Sequence, residues 1–172
     1  MNSLVVDVAQ YGIFVVAAGA LVVWLLCSRH EKVALAVQAV VTMIVVAVLV
    51  KVAGALHTDP RPFVVDPHLH PLFAHPADNG FPSDHTALAS GIALLVTTYR
   101  RWIGLALVVV SVAIGVSRVA AHVHHPQDIA AGLVIGLLAA LVGWLSWRLV
   151  GSRVRGSRTP EVERVPAGPE PR

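Results

Sequence analysis

Long apolar runs almost free of charge constrain this chain more than any other feature. They cover about 8–28, 33–56 (with Lys51 near its far end), 86–99, 102–117 and 129–147. A bilayer core about 30 Å thick is crossed by roughly 20 apolar residues in a helix, and in hydrocarbon the backbone must satisfy its own hydrogen bonds. Five such runs predict an all-α, polytopic membrane helix bundle with about five transmembrane helices. Composition agrees: hydrophobic residues make up 56% of the 172, charged residues 13%, and the mean hydropathy is +0.72, outside the range of soluble domains. The first run has no basic residues ahead of it and no small-residue cleavage site, which favours a retained helix over a signal peptide.

Residues 1–150 are expected to form one membrane domain. Residues 151–172, with several Pro and Gly and no apolar periodicity, are expected to be a disordered basic tail. The single cysteine, Cys27, excludes an internal disulfide and a cysteine-based metal cluster.

With five spans the termini lie on opposite sides. Arg29, Lys32, Arg100, Arg101, Arg148 and the arginines of the tail then share one side, which the positive-inside bias makes cytoplasmic. Three cations, Lys51, Arg61 and Arg118, fall on the other side, each close to a helix end, together with eight of the nine histidines. Charge kept at such positions marks functional candidates. Converging cations suit a tetrahedral oxyanion, and helix starts at Ser83, a candidate N-cap, and at Pro126, a candidate first helical residue, add free N–H groups.

These residues carry a resemblance. RPF at 61–63, FPSDH at 81–85 and SRVAAHVHHPQD at 117–128 resemble the three signature segments of the type-2 phosphatidic acid phosphatase superfamily of integral-membrane lipid phosphatases. The third segment fits in full: Ser117, Arg118, five residues, His124, three residues, Asp128. Two departures stand out. Asp84 replaces the family's usual glycine, as in short bacterial members resembling undecaprenyl-diphosphatases. Lys51 stands ten residues before Arg61 where the family places its lysine seven before, a position held here by Gly54. That offset moves a helical side chain by about 4.5 Å and about 60°.

The resemblance implies a phosphatase with its active site at the non-cytoplasmic membrane surface. It makes His124 the nucleophile that forms a phosphohistidine, Asp128 its orienting carboxylate and His85 the general acid, while Lys51, Arg61, Arg118 and Ser83 bind the phosphoryl oxygens. Asp84 belongs to the same substrate-binding set, pairing with Arg61 or Arg118 or acting on His85. No metal, cofactor or nucleic-acid partner is expected. His57, His68, His70, His75 and His125 read as polar residues of a wet interface, with the loop 57–80 a source of extra donors through His68 and His70. The implied substrate is a lipid phosphate or diphosphate, foremost undecaprenyl diphosphate. The alternatives are a phosphatidate or phosphatidylglycerophosphate phosphatase, or a non-catalytic metal-binding or transport protein.

Overall fold

The computed structural model describes residues 2–156 and contains six helices and no strand among them. They are α1 (Asn2–Leu26), α2 (Arg29–Leu56), α3 (Pro62–Val65), α4 (Asp84–Thr97), α5 (Arg101–Ala120) and α6 (Pro126–Gly156). The segment α6 extends past the boundary expected at residue 150, and 157–172, most of the expected tail, lies outside the described residues.

Four helices are long and apolar enough to cross a membrane: Ser3–Leu26, Arg29–Leu56, Arg101–Ala120 and Pro126–Leu149. Large apolar side chains such as Phe14, Leu21, Ile44, Val109 and Leu137 lie exposed along them. In water such a surface would be unstable, whereas lipid solvates it, so the chain is a multi-pass membrane protein. The remaining long apolar run is α4. Its 14 residues make only about 21 Å of helix, short of the hydrocarbon thickness. Of the five helices expected to span, α4 is the one enclosed by the others, packing against α1, α2, α5 and α6.

Small residues permit that enclosure. A Cβ on Gly136 would meet Ser90 Oγ and come within 2.6 Å of Ala87 O, so α6 approaches the backbone of α4 at glycine. Gly143 does the same against α2, where an added Cβ would meet Thr42 Oγ1 and lie 2.7 Å from Gln38 O. Buried hydroxyls return their hydrogen bonds to helix carbonyls, Thr42 to Ala139 O (3.3 Å) and Ser90 to Thr86 O (2.7 Å), as a dry interior demands.

The two ends of the bundle differ. At one end α1 and α2 meet in a tight reversal closed by a capping box, Ser28 N–H to Glu31 Oε2 (2.8 Å) and Glu31 N–H to Ser28 Oγ (3.4 Å). Arg100 NH2 reaches Leu26 O there at 3.4 Å, which gathers Arg29, Lys32, Arg100 and Arg101 at one end. At the other end lie α3, the loop 66–83, the start of α4, the turn 121–125 and the start of α6. Asn79 ties this cap together: its Oδ1 accepts from the N–H groups of Asp59 (2.9 Å) and Phe81 (3.1 Å), and its Nδ2 donates to Gly54 O and His57 O (both 3.0 Å).

Candidate active site

The chain reverses between α5 and α6 in five residues. His122 N–H bonds to Val119 O (3.0 Å) and Val123 N–H to Arg118 O (3.2 Å), with His122 at φ 61°. This is the Schellman pattern, with histidine in the left-handed position usually given to glycine. Val123 O is thereby presented to Arg61 NH1 at 2.7 Å, and His124 follows directly into the interior. Its partner is set by the start of the next helix. His125 N-caps α6, Pro126 takes the first helical position, and Asp128, two residues further, accepts the His125 backbone N–H at 2.8 Å. The same oxygen, Asp128 Oδ2, lies 3.1 Å from His124 Nδ1.

That geometry defines the tautomer. Ionised Asp128 can only accept, so His124 carries its proton on Nδ1 and keeps a lone pair on Nε2. Arg61 NH1, which can only donate, lies 3.4 Å from this Nε2. Burial, with Arg118 and Arg61 nearby, holds the His124 imidazole below its ordinary pKa, while the hydrogen bond and charge of Asp128 work the other way. Burial and the arginines thus favour the neutral ring, with its lone pair on Nε2.

A cavity of about 210 Å³ opens in front of His124, and Arg61, His75, Asp84, His85 and Arg118 line it with His124. Arg61 and Arg118 are buried, at 5% and 2% exposure. Arg61 is fixed by Asp78, with Nε and NH2 both 2.9 Å from Oδ1. Arg118 NH1 is held by Ala9 O at 3.1 Å, and its Nε has no hydrogen-bond partner among the described residues. His85 opens α4 beside Asp84, whose Oδ1 lies 2.9 Å from His85 Nδ1 and accepts the His85 backbone N–H at 2.7 Å. The cavity thus contains the Asp84–His85 pair, the imidazole that Asp128 holds from behind, and two fixed guanidinium groups.

Five of the eight expected site residues, Arg61, Asp84, His85, Arg118 and His124, share this cavity, with Asp128 directly behind His124. Two stand apart. Lys51 is exposed on α2 and does not line the cavity, although its neighbour Val50 does. Gly54, at the family's lysine position, is covered by the cap: a Cβ there would come within 3.1 Å of Phe81 O. Ser83 is the N-cap of α4 by position, but its hydroxyl contacts Thr86 Oγ1 (3.1 Å) and makes no cap hydrogen bond. Asp84 faces His85 and makes no ion pair with Arg61 or Arg118.

The loop histidines also divide differently from the sequence reading. His68 and His70 do not line the cavity; His70 instead offers its backbone carbonyl to His122 Nδ1 at 3.0 Å. No group of three metal-ligating side chains converges among the described residues. The residue that enters the cavity is His75, whose Nε2 lies 3.1 Å from Arg118 NH2. Asp78 and Asn79 were equally silent in sequence, apart from the Asn79-Gly80 dipeptide, a turn signal.

A membrane bundle with paired histidines and guanidinium groups at one end defines a class of membrane-embedded phosphoryl-transfer proteins. Residues 35–152 match the family model of the PAP2 superfamily, and the chain belongs to that family. It is 35% identical over 150 residues to the bacitracin transport permease protein BcrC of Bacillus licheniformis, covering 87% of this chain and 73% of that protein. It is 32% identical to undecaprenyl-diphosphatase BcrC of Bacillus subtilis, covering 86% of this chain and 74% of the relative. The crystal structure of Aquifex aeolicus LpxE superposes with a TM-score of 0.67 at 27% identity, covering 83% of this chain and 84% of that one.

Proposed function

We propose that this protein is a lipid phosphatase that hydrolyses undecaprenyl diphosphate to undecaprenyl phosphate at the non-cytoplasmic membrane surface. The observation that carries this reading is the buried His124–Asp128 pair facing two buried arginines in one cavity. A phosphoryl group must be attacked in line while its equatorial oxygens are neutralised. His124 Nε2 attacks the terminal phosphorus and forms the phosphohistidine, with Asp128 stabilising the imidazolium through Nδ1–H. Arg61 and Arg118 take the equatorial oxygens, already desolvated and held in place, so little reorganisation is required. His85, as the imidazolium, donates an Nδ1–H hydrogen bond to Asp84 and delivers its Nε2 proton to the departing oxygen, which leaves the ring neutral. The same nitrogen then activates the water that cleaves the intermediate.

An apolar groove supports a lipid substrate. It has a volume of about 300 Å³ and is lined by Ile13, Met43, Val46, Ala47, Val50 and Leu88, with Asp84 and His85 at its polar end. Val50, Asp84 and His85 are shared with the polar cavity. A leaving group protonated by His85 is therefore released where the groove begins. The Bacillus subtilis relative is named an undecaprenyl-diphosphatase, which agrees with this arrangement.

Sidedness follows from charge: the basic end carrying Arg29, Lys32, Arg100 and Arg101 faces the cytoplasm, as does the C-terminus, and the site faces outward. The test is phosphate release from a panel of purified lipids in one detergent, with chelator present. The expected result is a kcat/KM for long-chain polyprenyl diphosphate at least about tenfold above that for phosphatidate. Preference for phosphatidate assigns the chain to phosphatidate hydrolysis, and no release from any lipid phosphate overturns the reading.

A further inference from the structure

The buried Arg118 guanidinium has its NH1 on Ala9 O and its Nε unpartnered among the described residues, which leaves NH2 as the donor aimed into the cavity. The acceptor it meets there is His75 Nε2, at 3.1 Å. Because arginine cannot accept, this nitrogen carries a lone pair, and the ring proton sits on Nδ1, 3.3 Å from Pro76 O. His75 thus fills the place that a phosphoryl oxygen needs on Arg118. Its ring also stands edge-on to that of His124, with centroids 6.3 Å apart.

We propose that His75 is a phosphate ligand that works by exchange, holding Arg118 in the empty site, yielding NH2 to a phosphoryl oxygen, and then taking up a proton to hydrogen-bond the bound anion. This rests on the phosphatase reading of the site. The proton comes from solvent, and no other bond changes. Histidine suits the role because the two states need opposite properties at one atom, an acceptor toward Arg118 and a donor toward phosphate.

The electrostatic surroundings agree. Burial, Arg61, Arg118 and His124 all keep the His75 imidazole below its ordinary pKa, against a weaker opposing pull from Pro76 O. Among the described residues no carboxylate offsets them: Asp78 is taken by Arg61, Asp84 by His85, and Asp128 by His124. An anion bound among these groups reverses the sign of the local field and favours protonated His75. Binding that takes up a proton is strengthened at low pH, and the gain is lost as pH rises through the bound-state pKa.

Orthovanadate inhibition of wild type and His75→Gln, measured across pH, tests the inference. The ratio of the two inhibition constants cancels the ionisation of vanadate itself. Glutamine accepts and donates but does not titrate, so the variant is expected to bind about tenfold more weakly near pH 6 and within about twofold of wild type near pH 9. A ratio constant with pH overturns the inference, because a merely structural role shifts both ends alike. His75→Lys reads the same step without relying on the glutamine variant's folding: its fixed cation is expected to bind vanadate more tightly than wild type near pH 9, and weaker binding there counts against the exchange. Wild-type protein that vanadate does not inhibit at any pH sinks the phosphatase reading itself, a separate result.

Discussion

Asp84 Oδ1 lies 2.9 Å from His85 Nδ1, and Asp128 Oδ2 lies 3.1 Å from His124 Nδ1. Each carboxylate accepts a hydrogen bond from Nδ1–H, which leaves Nε2 on the far side of the ring. The two pairs differ in burial, since the Asp84 side chain is 66% exposed and that of Asp128 is 0% exposed. Solvent competes for His85 and not for His124, so the same contact carries different weight at the two positions.

The first consequence concerns Asp84. Asp84→Asn is expected to lower kcat by about three- to tenfold with KM nearly unchanged, because it disturbs only the orientation of an imidazole that is 33% exposed. Steady-state kinetics on the lipid diphosphate check this. A raised KM with intact kcat would make Asp84 a substrate ligand instead.

Asp128→Asn acts on the buried pair. The amide can present its N–H to His124 and favour the wrong tautomer, so kcat is expected to fall by about 10³-fold or more. The pH profile carries a second signature. Asp128 draws the His124 pKa upward against burial and the arginines; without its charge the pKa falls further, and the acid limb of residual kcat/KM moves to lower pH. An acid limb that moves to higher pH contradicts this assignment.

The cations are ranked by position. Arg118→Ala removes a buried guanidinium from the cavity and is expected to reduce kcat by at least about 10³-fold. Lys51→Ala, at an exposed position outside the cavity, is expected to stay within about twofold of wild type. Phosphate-release assays on the two variants side by side decide the ranking, and an inactive Lys51→Ala would show that its side chain reaches the substrate.

Packing predicts a stability change distant from the chemistry. A methyl group on Gly136 meets Ser90 and Ala87 O on α4, and such overpacking costs about 1–3 kcal/mol. Thermal unfolding in detergent, followed by circular dichroism, is expected to show a lower midpoint for Gly136→Ala. Val109→Ala, at a position 69% exposed, serves as the control and is expected to unfold near the wild-type temperature.

Sidedness is open to labelling. Cys27 is buried, so reporters belong at exposed positions in a Cys27→Ser background: His70→Cys at the active-site end and His30→Cys at the basic end. An impermeant thiol reagent added to intact cells is expected to label position 70 and spare position 30. The reverse pattern places the site in the cytoplasm.

The apolar runs by themselves determined the helices, because a backbone in hydrocarbon has few other ways to satisfy its hydrogen bonds. The segment from Arg118 through His124 to Asp128 was legible through its resemblance to a family signature, and a signature can hold there because a Schellman turn, an N-cap and one helical turn are short-range geometry. Tertiary structure decided what lies far apart in sequence. Whether Lys51 reaches the site depends on how α2 is rotated against the cap, and the close fit of Gly54 beneath Phe81 sets that rotation. Which loop histidine enters the cavity depends on how the chain from 66 to 83 is pinned, through Leu72 N–H to Ala121 O, Asp78 to Arg61 and the four bonds of Asn79. A polar loop has no periodicity to show which side chain points inward, so His68, His70 and His75 look alike in sequence, and only the fold sets His75 against Arg118.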